Sequence, residues 1–172
     1  MTRNDKKRVE SFRQKNAIKT MYYTRYFLVR YVVTFFFFIN LYWAVSLYLL
    51  HTLASIILPI LLGLFAGVAM WEQYQMFTTE QPKAKYSKAF FKTIIAVNGC
   101  LGLLTLAGQS RVLFPFFNET FSTRLFIVGI LIIGALLSFW MLVKISRIDA
   151  NKDRQYVRIN RYLASLNLSK HY

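Results

Sequence analysis

At 172 residues the chain has room for one domain, yet it is 56% hydrophobic and carries 22 Lys plus Arg against 7 Asp plus Glu, a formal charge of +15. A soluble domain of this size could not bury so much apolar surface. The conflict resolves because the apolar residues fall in blocks and the charges between them, so the basic excess reads as contact with anionic lipid headgroups and not with nucleic acid.

The chain opens on a basic segment, residues 1–27, whose run RNDKKRVESFRQKNAIK has only a weak apolar stripe and reads as a solvated or surface-lying lead-in. No short apolar h-region with a small-residue cleavage site follows, so this segment is expected to stay on the mature protein. Then comes Tyr31–Trp71, 41 residues without one Lys, Arg, Asp or Glu. As one helix it would be about 62 Å long, roughly twice a hydrocarbon core of about 30 Å. It must therefore fold back, and the turn is expected at the polar cluster His51, Thr52 and Ser55. Pro59 then falls in the first turns of the second helix, where a missing N–H does least harm.

Two further uncharged runs, Thr93–Ser110 and Leu125–Val143, are also long enough to span. Open strands would leave peptide groups unsatisfied in lipid, so helices are forced. The predicted fold class is an all-α polytopic membrane protein with four transmembrane helices in two hairpins, at 28–50, 53–75, 90–110 and 124–144. Together these make a transmembrane domain over 28–144, followed by a basic amphipathic cytoplasmic tail over 145–172.

Orientation follows from charge. Segments 1–30, 72–92 and 144–172 hold nine, four and seven Lys/Arg, and only Arg111 and Arg124 lie elsewhere. Four crossings put the three rich segments on one side, which the positive-inside rule makes the cytoplasm. The expected location is the cell membrane, multi-pass, with both termini cytoplasmic. Tyr22, Tyr23, Tyr26, Tyr31, Trp71, Tyr74 and Trp140 fall at the predicted inner boundary, where amphipathic rings are favoured. Phe114, Phe116, Phe117 and Phe121 make the 111–124 connection one that rests on the membrane surface.

Between helices in lipid, close approach through small residues is a main source of adhesion. Gly63 and Gly67 form a GxxxG, read either as a dimerisation face or as packing within the chain, and Ala96–Cys100 and Gly134–Ser138 repeat the spacing. Counting about 1.5 Å of rise per residue from Arg30, Glu72, Lys92 and Lys144 places Asn40, Gly63, Gly102 and Gly134 about 14–15 Å deep, in one layer. Asn40 is expected to bond carbonyls bared by those glycines. The same count sets Asn98 and Ser138 about 9 Å deep, where a bond between them would join the third and fourth helices; Ser138 bonding its own helix is the competing reading. Glu72 is expected to pair with Lys92 or Arg30, or to stand solvated. In the tail, Tyr156, Ile159 and Leu163 recur at helical spacing beside Arg154, Arg158 and Arg161. This stripe either lies in the anionic inner leaflet or docks on a partner.

Chemistry is absent from the pattern. Cys100 has no CxxC partner, His51 has no second ligand nearby, and no Walker loop, HExxH, GxSxG or paired carboxylate occurs. No catalytic residue, cofactor or metal site is predicted. Asn118-Glu119-Thr120 matches a glycosylation triplet, but a loop this short and aromatic makes chance the better account. No ionisable residue lies deep in a span, which weakens an ion or proton pathway. Two function classes stand. One is a non-enzymatic accessory or scaffold subunit of a larger membrane complex serving transport, secretion or envelope assembly, binding other membrane subunits or itself. The other is a small oligomeric transporter or channel whose only polar lining would be Asn40, Asn98, Thr105 and Gln109.

Overall fold

The computed structural model describes residues 3–76, 84–118 and 120–169, and every regular element among them is helical. The elements are α1 (Arg3–Thr24), α2 (Phe27–Leu49), α3 (Leu53–Gln75), α4 (Lys85–Leu106), the single turn α5 (Ser110–Leu113), α6 (Phe121–Asp149) and α7 (Arg154–Ser169). Four of them, α2, α3, α4 and α6, are long and apolar enough to cross a membrane.

The helices pack as a series, α2 on α3, α3 on α4 and α4 on α6, with α1 laid against α7. Lys88 at the start of α4 pairs with Asp149 at the end of α6, and Tyr26 just before α2 donates to the same carboxylate. The end of α3 meets the start of α4 through Glu72. These contacts gather the Lys- and Arg-rich segments at one end, the basic end. At the other, the loop end, Ser55 Oγ donates to the Val112 carbonyl at 2.7 Å and Trp43 Nε1 donates to Leu113 at 3.2 Å.

One contiguous core fills the basic half. Val29, Val33 and Phe36 of α2 meet Leu62, Ala66 and Ala69 of α3, Phe90, Phe91 and Ile94 of α4, and Met141, Ile145 and Ile148 of α6. Phe90 and Phe91 are fully buried, and Phe36 and Phe65 meet Phe90 edge-on at 6.2 and 5.7 Å between ring centroids. That geometry aligns ring edge with ring face and adds to plain contact. Beside this core the helices part around two apolar cavities.

Three helices stop in the same way. After α2, α4 and α6 the next-but-one residue turns left-handed, His51 at φ 55°, Gly108 at φ 92° and Asn151 at φ 54°. In each case two backbone N–H groups reach back to carbonyls of the last turn: Thr52 to Leu47, Gln109 to Leu104, and Lys152 to Arg147 form the outer member of each pair. This is the Schellman closure, which satisfies carbonyls a helix end would otherwise strand. His51 is therefore a turn residue held in a conformation that costs a side chain energy.

Two spans differ from expectation in their bounds. The third span was expected at 90–110, whereas α4 covers Lys85–Leu106. It starts early because Glu72 caps it, and stops early because Gly108 breaks it. The fourth, expected at 124–144, runs on to Asp149 as part of α6. Pro59, placed by the sequence in the first turns, sits in the second turn of α3 and is buried. Its missing N–H leaves the Ser55 carbonyl without its helical donor. Thr120, from the glycosylation-like triplet, caps α6: its side chain accepts the Thr123 N–H.

Candidate functional site

Of the predicted packing residues, Asn40, Gly63 and Gly67 line one groove and Asn40, Asn98 and Gly134 one cavity, and the hydrogen-bond partners differ from those expected. Asn40 is 4% exposed, and its Nδ2 donates to the Phe36 carbonyl at 2.8 Å, one turn back on its own helix. The expected bond to a glycine carbonyl is not made. Asn98 does join α4 to α6, but by donating to the Leu131 carbonyl at 3.4 Å and not through Ser138. Ser138 Oγ is fully buried and has no hydrogen-bond partner among the described residues. Gly134, against which Asn98 Nδ2 lies, is one helical turn before Ser138 on α6.

Gly134 is where α6 comes close to α4. A β-carbon built there would lie 2.8 Å from Asn98 Nδ2 and 3.8 Å from the Phe36 ring. Gly63, Gly67 and Gly102 behave differently, since a β-carbon at any of them meets nothing within 4 Å. Packing of Gly63 and Gly67 within the chain is thus replaced by open space. Both glycines line a groove of about 510 Å³ between α2 and α3, with Asn40 and Ala44 on one wall and Pro59 and Trp71 at its ends.

A second set of polar residues, missed by the sequence reading, holds the basic end together. Arg25, in the break between α1 and α2, is 7% exposed. Its Nε donates to Asp153 Oδ2 at 3.1 Å and its Nη2 to Asp153 Oδ1. Nη2 also reaches the Ile148 carbonyl at 2.8 Å and Asn151 Oδ1 at 3.0 Å. Tyr22 and Tyr156 stack on the guanidinium, at 5.8 and 5.2 Å from their ring centres. The left-handed turn at Asn151 aims its side-chain oxygen and Asp153 at one cation. Burial, reinforced by the Asp149 carboxylate beside it, pushes the Tyr26 phenol well above its usual range and keeps it protonated.

This latch sets the place of the tail. The stripe Tyr156, Ile159, Leu163 was expected to face lipid or a partner; instead Ile159 is 1% exposed, Tyr156 lies over Arg25 and α7 packs on α1. Leu163 is half-buried, and Arg154, Arg158 and Arg161 remain exposed. Glu72 also departs from expectation. Its two carboxylate oxygens accept the N–H groups of Tyr86 and Ser87 and the Ser87 hydroxyl, all at 2.8 Å, and it pairs with neither Lys92 nor Arg30. A carboxylate on the first amides of α4 satisfies donors and the helix dipole together. Arg30 stacks on Tyr23 at 3.9 Å. The scarcity of acids in the sequence was the available signal: among so many cations, Glu72, Asp149 and Asp153 are each claimed by a structural partner.

Among the described residues no three His, Cys, Asp or Glu side chains converge on a point that could hold a metal. The open groove at Gly63 and Gly67 and the exposed cations of the basic end are the surfaces left for binding. The chain matches no protein-family model, and no curated protein or solved structure is significantly similar to it.

Proposed function

We propose that this chain is a multi-pass protein of the cell membrane, its four apolar helices crossing as two hairpins with both termini in the cytoplasm. In that setting it serves as a non-enzymatic accessory or scaffold subunit of a larger membrane complex of the transport, secretion or envelope-assembly kind. The observation that carries this reading is the open groove at Gly63 and Gly67, two glycines where an added β-carbon would meet no described residue within 4 Å. In lipid, a bare backbone stripe of this kind is where a neighbouring helix adheres. The exposed Arg154, Arg158 and Arg161 extend the contact to anionic inner-leaflet lipids or to cytoplasmic subunits.

A transporter or channel formed by self-association needs a polar route. Thr105 is spent on the Leu101 carbonyl of its own helix and Asn40 on that of Phe36, which leaves little polar lining. Affinity capture in mild detergent with mass spectrometry separates the two. The subunit reading expects a stoichiometric larger partner that is lost in Gly63→Leu/Gly67→Leu, a change the open space tolerates without unfolding. A homo-oligomer alone, with solute flux in vesicles, overturns it.

A further inference from the structure

The second cavity, about 340 Å³, lies in the loop half among α2, α4 and α6. Its size falls within the usual range of small-molecule sites. α2 and α6 do not pack along their lengths, although Phe36 reaches Gly134, and the rim residues Phe35 and Ile39 on one side and Ile130 and Ile133 on the other are exposed. The cavity therefore opens sideways between these helices. At the loop end it is roofed by Phe114, Phe116 and Phe117. Trp43 fastens the roof by stacking on Phe114 at 5.3 Å and by its bond to Leu113. The walls are apolar, with the amides of Asn40 and Asn98 on the floor.

A cation stands above this apolar slot. Arg124 is one turn toward the loop end from Ile127, on the same face of α6, and Ile127 is a wall residue. Its guanidinium reaches over to the end of α4, 3.9 Å from the position a Gly108 β-carbon would take. Arg124 Nε is buried and has no hydrogen-bond partner among the described residues. A buried donor of a cation left unmatched is costly, and a phosphate is the acceptor a guanidinium fits best. An apolar slot open to the side, with an unmatched cation one helical turn beyond its wall toward the loop end, is complementary to an anionic amphiphile.

We propose that this is a site for an anionic phospholipid of the leaflet at the loop end, its phosphate on Arg124 and one acyl chain lying in the slot beneath the phenylalanine roof. The inference requires only that the helices cross a bilayer; it depends neither on the orientation nor on the subunit role proposed above.

Trp43 lines the slot and reports its occupant. With Trp71→Phe and Trp140→Phe it becomes the only tryptophan in the full chain. The chain is placed in phosphatidylcholine vesicles containing a minor fraction of either phosphatidylglycerol or phosphatidylcholine with brominated acyl chains, and Trp43 quenching is titrated. The brominated anionic lipid should quench at about fivefold lower mole fraction, the ratio expected for one interfacial charge pair. Arg124→Gln should abolish that ratio and Arg124→Lys restore most of it, while Trp43 emission without bromine stays unchanged, showing the fold intact. Ile130→Phe/Ile133→Phe, which narrows the side opening, should weaken quenching by both lipids. Equal quenching by the two lipids in the Arg124 protein, or a preference that survives Arg124→Gln, overturns the proposal.

Discussion

Removing Asp153 tests how the basic end is held. The Arg25 guanidinium is almost wholly buried and, among the described residues, Asp153 is its one carboxylate partner, the remaining acceptors being the neutral Asn151 and Ile148 oxygens. Asp153→Ala leaves that cation buried and uncompensated, at a cost of about 3 kcal/mol, the lower end of the range for such pairs because the Asp153 side chain is partly exposed. The loss falls on the docking of α7 against α1. About 3 kcal/mol raises the undocked population about a hundredfold. Trypsin reads this directly, because Arg154, Arg158 and Arg161 are exposed yet lie in a docked helix. Cleavage there should quicken by about that factor in detergent-solubilised protein. Arg25→Met combined with Asp153→Leu removes both charges and should recover most of the protection. A single variant cleaved at the original rate, or a double variant that shows the two single losses added together, would refute the latch.

Other consequences are smaller and separable. Gly134→Ala sets a methyl against Asn98 Nδ2 and should break its bond to Leu131, costing about 1–2 kcal/mol, whereas Gly67→Ala, with open space around it, should leave thermal stability in detergent unchanged. His51→Gly should stabilise by about 0.5–1 kcal/mol by relieving a left-handed side chain; Asn151→Gly, at nearly the same φ, should destabilise because the bond to Arg25 is lost, so thermal melts should move in opposite directions. Raising the pH tests Tyr26: its phenol stays protonated in the fold above its ordinary pKa, so its contribution is whole below about pH 10 and is lost as the pH climbs beyond that. Tyr26→Phe should flatten that part of the melting-temperature profile.

The four long helices were legible because apolar runs of this length have one stable form in lipid, and the 41-residue block had to turn near His51 by length alone. What chain position could not supply was register. Lys92 looked like the boundary of the third span, but a lysine on a helix marks a face as readily as an end, and Lys88 makes the ion pair with α6. Depth along a helix also says nothing of which way a side chain leans: Asn98 reaches the Leu131 carbonyl and lies against Gly134, one turn before Ser138. The open surroundings of Gly63 and Gly67 were also illegible, because a GxxxG states that a helix has a bare stripe and not what covers it. Arg25 read as one more cation in a basic lead-in. Only the convergence of Tyr22, Asn151, Asp153 and Tyr156 makes it the centre of that end.

The central claim is that lipid surrounds these helices and that the basic end lies in the cytoplasm. On a Cys100→Ala background, Asn118→Cys marks the loop end and Ser165→Cys marks α7, and both positions are exposed. Intact cells are treated with a membrane-impermeant maleimide and then permeabilised. Labelling at 118 from outside, with 165 reacting only after permeabilisation, is the predicted result; 165 labelled on intact cells while 118 stays protected would contradict the account.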